Sequence, residues 1–134
     1  MESIEKSYIK AVRLFNINET DCAFETGFIP TQVRIDAQYF FGQTKVDPYE
    51  KVPHPAPRRQ YVVTIKGKLQ FKVTDGTTFV IEPGIILIAE DINGVGHTWE
   101  LMDGEQWERF YIPLDLSSDN HFLIGDGFTV PVGS

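Results

Sequence analysis

The sequence has little of several features that mark other classes of protein. It contains one cysteine, Cys22, so no disulfide can form within the chain, and a reducing compartment is expected. Its longest apolar run, residues 85–89, is far shorter than the roughly 20 residues that span a bilayer. The first residues also lack the basic-then-apolar pattern of a secretion signal. We therefore expect a soluble, cytoplasmic protein.

Basic residues are scarce as well. The chain has 12 lysines and arginines against 19 aspartates and glutamates, which gives a formal net charge of −7. This charge repels phosphate backbones and anionic membrane surfaces, so neither nucleic acid nor membrane is an expected partner. With 134 residues, of which 42% are hydrophobic, the chain can fill one core. A single domain over residues 1–134 is predicted.

Helical periodicity is nearly absent, and strand patterns replace it. Residues 8–15 suit a helix or a strand equally well. Candidate strands with turn signals between them follow at 32–41, 61–65, 69–73, 79–81, 85–89, 107–114 and 122–132. This spacing predicts an all-β domain, an antiparallel β-barrel or jelly-roll of roughly eight to eleven strands with little helix.

Two segments break the strand pattern. Residues 46–57 contain four prolines, which remove backbone donors and stiffen the chain. We interpret this segment, called the lip below, as a rigid border rather than a paired central strand. Residues 91–96 contain two glycines and form a loop that ends at His97.

The end of the lip resembles the first motif of the cupin superfamily. In that motif two histidines one residue apart are followed by a glutamate, then six residues, then a glycine. His54 stands in the place of the first histidine, and Gln60 stands in the place of the glutamate, with six residues between it and Gly67. Ala56 occupies the place of the second histidine. The resemblance implies a barrel with a small-molecule pocket at one end.

The resemblance extends over roughly residues 34–111. The sequence Glu82-Pro83-Gly84 and the apolar strand after it look like the approach to the second cupin motif, with a longer loop before His97. The family's usual metal site, as the resemblance implies it, has three histidines and one glutamate. Only His54 and His97 match it as histidines, and Gln60 is neutral. No cofactor is expected; a divalent metal at His54, Gln60 and His97 is the alternative.

Alternation along the strand after the lip predicts which side chains share a face. The resemblance makes that face the inner one, and places His97 and Trp99 beside it. The predicted catalytic residues are His54 and His97, and the predicted ligand-binding residues are Arg58, Gln60, Thr64 and Trp99. Imidazoles, a guanidinium and a carboxamide around an indole suit a small, planar or anionic polar ligand.

Neighbouring residues receive structural interpretations. Arg59 is expected to face solvent or pair with an acid, because adjacent residues of a strand point to opposite faces. By the same rule Glu90 and Asp91 are expected to be solvated in the loop rather than to work as an acid–base pair, with Asp91 fixing the approach to His97. Trp107 and Tyr111 fit a core face, and at most one of them is expected to touch a ligand.

Two classes of function remain open. The first is an enzyme that acts on a small polar metabolite by acid–base chemistry, of the isomerase, cyclase or lyase type, with a metal-dependent oxygenase as its variant. The second is a binding or sensor module without catalysis. In either case a homodimer is expected, in which residues 8–15 cover an edge strand of the sheet.

Overall fold

The structure is a computed structural model that describes residues 7–47, 50 and 52–125. Almost all regular structure in this part of the chain is β, as predicted. The strands are β1 (Tyr8–Asn16), β2 (Cys22–Pro30), β3 (Phe41–Gln43), β4 (Gln60–Lys72), β5 (Thr78–Ile81), β6 (Ile85–Glu90), β7 (Thr98–Pro113) and β8 (Leu123–Ile124). Among these residues there is no helix of the length and apolar character needed to cross a membrane.

The strands form one mixed sheet in the order β3-β7-β4-β6-β1-β2-β8, with β5 paired to β4. The predicted antiparallel arrangement is wrong for one pair, because β1 runs parallel to β6, with Val12 opposite Leu87. Ala11, Val12 and Leu14 are fully buried, and such a strand is most stable between two others. Over the described residues the sheet does not close on itself, so the barrel is not confirmed.

The position of β1 removes one basis for the expected dimer. Residues 8–15 were expected to cover an edge of the sheet, but β1 is hydrogen-bonded to β2 on one side and to β6 on the other. Both of its edges are therefore occupied within the chain. The homodimer stays a prediction, but β1 is not available to form its interface by edge pairing.

Strand β4 is longer than predicted. Residues 66–68 were expected to separate two strands, yet β4 continues through them and pairs with β7 on both sides of an irregularity. Gly67 allows this, because its φ is 119° and a Cβ there would lie 2.9 Å from the Gln106 carbonyl oxygen. A residue with a side chain would not fit this bend.

The strand predicted over residues 32–41 is wrong. Gln32 has a φ of 66° and turns the chain, and the apolar side chains of Ile35 and Tyr39 are exposed. Alternation forms a strand only where a partner and a buried face are present, and here only Phe41 belongs to a strand. Of the strand predicted over residues 122–132, residues 122–125 are described and Leu123–Ile124 form β8, whereas residues 126–132 lie outside the described chain.

The two faces of the sheet carry separate hydrophobic clusters. Val62 and Leu87 belong to one cluster, whereas their neighbours Tyr61 and Ile88 belong to the other. Consecutive residues of a strand point to opposite faces, so β6 is buried on both faces, as its apolar run predicts. The face that carries Val62 also carries both tryptophans and borders the cavity described below.

An ion cluster joins β1, β2 and β6 on the face of the sheet opposite the cavity. Glu90 accepts hydrogen bonds from Arg13 Nε at 2.6 Å and Arg59 Nε at 2.7 Å, and Arg13 also donates to Glu25 at 2.9 Å. Burial alone would raise the pKa of Glu90, but the two guanidinium groups outweigh it and hold this pKa below its ordinary value of 4.5. The expectation that Glu90 is solvated is therefore wrong.

The cluster predicts how stability depends on pH. Glu90→Gln removes the charge that faces two guanidinium groups, and we expect a loss of about 2–3 kcal/mol in the free energy of unfolding near pH 7. Because the folded-state pKa of Glu90 is lowered, its contribution is complete above 4.5 and disappears as the pH falls through the folded-state value. The difference between variant and wild type should shrink with acidity, as measured by urea unfolding.

The matched control is Glu100→Gln, which changes the same charge at an exposed position of β7. It should alter stability by less than about 0.5 kcal/mol at every pH. A Glu90→Gln difference that stays constant down to about pH 3 would contradict the role given to this carboxylate.

Candidate functional site

A cavity of about 200 Å³ lies between the lip and the sheet. Its walls come from β3, the lip, β4, β6, β7 and the residues that lead into β4 and β7. Of the six site residues predicted from the sequence, five line it: His54, Arg58, Gln60, His97 and Trp99. The cavity is smaller than the roughly 300–1,000 Å³ of typical drug-sized sites, so it suits a small ligand.

The sixth predicted residue, Thr64, lies outside the cavity lining. It is buried, and its hydroxyl accepts a hydrogen bond from Trp107 Nε1 at 3.0 Å. Trp107 and Tyr111 both line the cavity, although at most one of them was expected to reach a ligand. Thr64 therefore orients the wall instead of forming it.

The two histidines are brought together by the backbone. His54 N donates to the His97 carbonyl oxygen at 3.1 Å, and His97 N donates to the His54 carbonyl oxygen at 3.0 Å. Their ring centroids are 4.9 Å apart. Gly96 makes this crossing possible: its φ is 82°, and a Cβ there would lie 1.9 Å from the carbonyl carbon of His54. Gly96 thus determines where the lip passes the segment that leads into β7.

His97 is oriented by Asp91. Its Nδ1 lies 2.6 Å from Asp91 Oδ2, and both residues are buried, Asp91 completely. Since a carboxylate accepts, Nδ1 carries the proton and Nε2 is left as the nitrogen for the cavity. The backbone of Asp91 is held as well, because Ala56 N donates to its carbonyl oxygen at 2.9 Å.

The expectation that Asp91 is solvated is therefore wrong. The loop of residues 92–96 has glycines with positive φ at 94 and 96, which return the chain so that Asp91 and His97 meet. The sequence signal for this contact was an aspartate and a histidine at the two ends of a glycine-bearing loop. The other carboxylate oxygen, Asp91 Oδ1, is buried and has no hydrogen-bond partner among the described residues.

His54 has a different environment. Its Nδ1 lies 2.8 Å from the Val52 carbonyl oxygen, which can only accept, so Nδ1 is the protonated nitrogen here too. The residue is half-buried, whereas His97 is buried. The two imidazoles therefore share a tautomer but differ in exposure.

The adjacent arginines point in different directions. Arg58 lines the cavity and donates from Nη1 to Gln60 Oε1 at 2.8 Å. Arg59 points the other way, to Glu90 and to the carbonyl oxygen of Ser118 at 3.0 Å. This is the arrangement that strand alternation predicts for neighbouring side chains.

An ion pair that the sequence reasoning missed supports the cavity wall. Arg109 is buried, and its Nη2 lies 2.9 Å from Glu50 Oε1. Its Nε donates to the Tyr111 hydroxyl at 2.9 Å and its Nη1 to the Trp107 carbonyl oxygen at 2.8 Å. Glu50 in turn accepts from Asp47 N at 2.7 Å. The pair ties the lip to β7, and the position of Arg109 between two aromatic residues of one strand face was its signal.

The residues present do not fit the metal site that the cupin resemblance implies. Among the described residues no group of three His, Cys, Asp or Glu side chains is placed to hold an ion. Gln60 Oε1, the oxygen at the glutamate position, already accepts from the cationic Arg58. A metal there would replace a hydrogen bond and face a positive charge.

This misfit predicts the response to a chelator. A bound metal raises stability in proportion to the logarithm of its concentration over Kd, so its removal would lower Tm. We expect treatment with EDTA to leave the Tm within about 1 °C of the untreated protein, measured by calorimetry. A fall of several degrees that added zinc or manganese reverses would contradict the misfit.

The crossing at Gly96 predicts a large effect of one methyl group. Gly96→Ala adds strain at positive φ and a clash with the His54 backbone, so we expect a loss of about 4 kcal/mol or more. Gly84→Ala is the matched control, since Gly84 has a φ of 98° but open space around a Cβ. It should cost about 1–2 kcal/mol. Equal losses in denaturant unfolding would show that the close approach is unimportant.

Comparison with known proteins adds no relative to this description. No family model matches the chain, and neither a curated protein nor a solved structure matches it. The resemblance to cupins accordingly depends on His54, Gln60 and Gly67 and on the turn at residues 82–84.

Proposed function

We propose that the cavity binds a small polar metabolite and that His97 transfers a proton to or from it, in an isomerase, cyclase or lyase type of reaction. The observation that carries this proposal is the buried 2.6 Å contact between His97 Nδ1 and Asp91 Oδ2 at the cavity wall. A carboxylate that fixes one nitrogen of an imidazole determines the tautomer of the ring and orients the other nitrogen.

The chemistry follows from the tautomer. With Nδ1 donating to Asp91, Nε2 of a neutral His97 has a lone pair and acts as the base. When it takes a proton from the ligand, the ring becomes an imidazolium, and the carboxylate of Asp91 stabilises the new charge. The same ring then returns the proton to another atom of the ligand, so the enzyme ends unchanged. In the alternative route a His54 that begins as an imidazolium gives a proton to the ligand while His97 takes one, and exchange with solvent returns both rings to their starting states; the two ring centroids are 4.9 Å apart.

A binding or sensor role without catalysis is the second candidate, and one observation favours it. The Nδ1 atom of His54 donates to the Val52 carbonyl oxygen within the lip, as a structural histidine would. In a binding role both histidines position the lip through their backbone hydrogen bonds. The cavity then binds a ligand and releases it chemically unchanged.

The relation to cupins is part of the same proposal. It is supported by His54, Gln60 and Gly67 in their motif places and by the meeting of His54, Gln60 and His97 at one cavity. A jelly-roll barrel in the complete chain, a cytoplasmic location and a homodimer belong to this proposal as well.

The test is proton exchange in deuterated buffer. The protein is incubated with pools of small polar metabolites, and NMR spectra follow loss of C–H signals or appearance of product. For any metabolite that reacts, we expect His97→Gln to slow the rate about 10²–10⁴-fold, because the proton acceptor is lost. Asp91→Asn should also slow it, since an amide can present its NH₂ group to Nδ1 and reverse the tautomer.

The matched control is His121→Gln. His121 lies outside the cavity, with its Nε2 3.1 Å from the Arg34 carbonyl oxygen, and its loss should leave the rate unchanged. A reaction that proceeds equally fast in the His97→Gln variant would overturn the proton-transfer role. A metabolite that binds in the cavity and never exchanges or reacts would favour the binding role.

A further inference from the structure

We infer that the ligand is a small carboxylate, whose charged end is held by Arg58 and Gln60 and whose body lies against the aromatic wall of the cavity. The inference rests on the proposed function of this cavity and gives its ligand a chemical class. Three observations carry it: the charge balance of the arginines, the orientation of the Gln60 amide, and the apolar lining.

The first observation is that Arg58 differs from the other buried or half-buried arginines. Arg13 and Arg59 share Glu90, and Arg109 pairs with Glu50, all with nitrogen–oxygen distances of 2.9 Å or less. Arg58 has no carboxylate within 4.0 Å among the described residues, and its side-chain partner is the neutral amide of Gln60. Within the described part of the chain this cation therefore has no counter-charge at the cavity wall, although the sequence has seven more acids than bases.

The acids of the cavity do not supply that counter-charge. Glu50 is occupied by Arg109, with which it forms a buried pair. Asp47 is half-exposed and lies 3.9 Å from Lys45 Nζ. A half-buried cation is stabilised by a nearby anion, and the accessible space beside Arg58 is the cavity itself. An anionic ligand therefore completes the charge balance.

The second observation concerns the two ends of the Gln60 amide. A guanidinium can only donate, so Gln60 must present Oε1 to Arg58, and Nε2 is left with its donors. Nε2 makes no hydrogen bond to any described residue, although the side chain is buried and lines the cavity. A guanidinium and an amide NH₂ side by side offer several N–H groups, which match the two accepting oxygens of a carboxylate.

The third observation is the surface that the rest of the ligand meets. Phe41, Trp99 and Trp107 line the cavity, and the Arg58 guanidinium lies 5.8 Å from the centre of the Phe41 ring. The Trp99 and Trp107 rings meet edge to face, with centroids 4.9 Å apart. Such walls favour an apolar or planar body over a second charged group. The ligand class is accordingly a monocarboxylate with an unsaturated or aromatic body.

The tryptophans also supply the measurement. The chain has two, and both line the cavity, so intrinsic fluorescence reports its occupancy. The probes are benzoate, crotonate and pyruvate, each titrated beside its uncharged amide. We expect a saturable change with at least one of these acids at or below about 10 mM, and binding of its amide at least about tenfold weaker. A calorimetric titration of the same pair confirms that the change is binding.

Substitutions then assign the preference to Arg58. Arg58→Met should remove most of the difference in affinity between acid and amide. Arg58→Lys should keep part of this difference, because lysine retains the charge but lacks the paired donors of the planar guanidinium. Arg34→Met, at an exposed arginine outside the cavity, is the matched control and should leave the difference intact. Unchanged Tm values show that each variant is folded.

Three outcomes overturn the inference. Equal binding of acid and amide, an undiminished preference in folded Arg58→Met, or no saturable change with any of the three acids would each contradict it. The proposed function is tested separately by proton exchange. Acids that bind through Arg58 without any reaction that depends on His97 would leave this inference standing while the catalytic proposal fails.

Discussion

The cavity depends on one backbone contact, the reciprocal pair of hydrogen bonds between His54 and His97. These bonds place the lip across the sheet, and without them neither the lip residues nor the Asp91–His97 pair would face a shared space. The contact requires Gly96, since any side chain there would occupy the position of the His54 backbone. A residue with no side chain thus determines where the imidazoles lie.

The second constraint is electrostatic. Buried charges are costly unless they are paired, and this protein pairs most of its inward-facing arginines with glutamates. Glu90 joins β6 to β1 and to the segment before β4, and Glu50 joins the lip to β7. These pairs hold the strands and the lip in position. Arg58 differs from the paired arginines, because among the described side chains its hydrogen bond is accepted by the neutral Gln60.

The all-β character and five of the residues that line the cavity were predicted from the sequence, the first from strand patterns and the second from alternation together with the cupin resemblance. The continuous apolar run at residues 85–89 predicted a strand buried on both faces. Alternation along the strand after the lip predicted that Arg58 and Gln60 share a face, and the structure places both at the cavity. The same rule failed over residues 32–41, where no buried face receives the alternating side chains. It also could not reveal that β1 lies parallel to β6, because pairing of distant strands is decided by the whole sheet.

The polar partners were the hardest to predict. Asp91 and His97 meet because a loop with two positive-φ glycines turns back, whereas the sequence pattern predicted a solvated Asp91 that fixes the approach to His97. The prediction that Glu90 and Asp91 point apart is correct, since Glu90 faces the arginine cluster and Asp91 faces the histidine. Arg109 and Glu50 are 59 positions apart, and their pairing requires the path of the lip, which composition alone does not supply.

The parallel pairing of β1 with β6 has a consequence for the order of folding. The first two strands are neighbours in sequence and can form a hairpin as soon as both are synthesised, but the other edge of β1 has to wait for residues 85–90. Closing so long a loop is slow compared with forming a hairpin. Until then, one edge of a strand with fully buried apolar side chains stays open to other chains. The emerging polypeptide is therefore most vulnerable to aggregation while its central strands are being made.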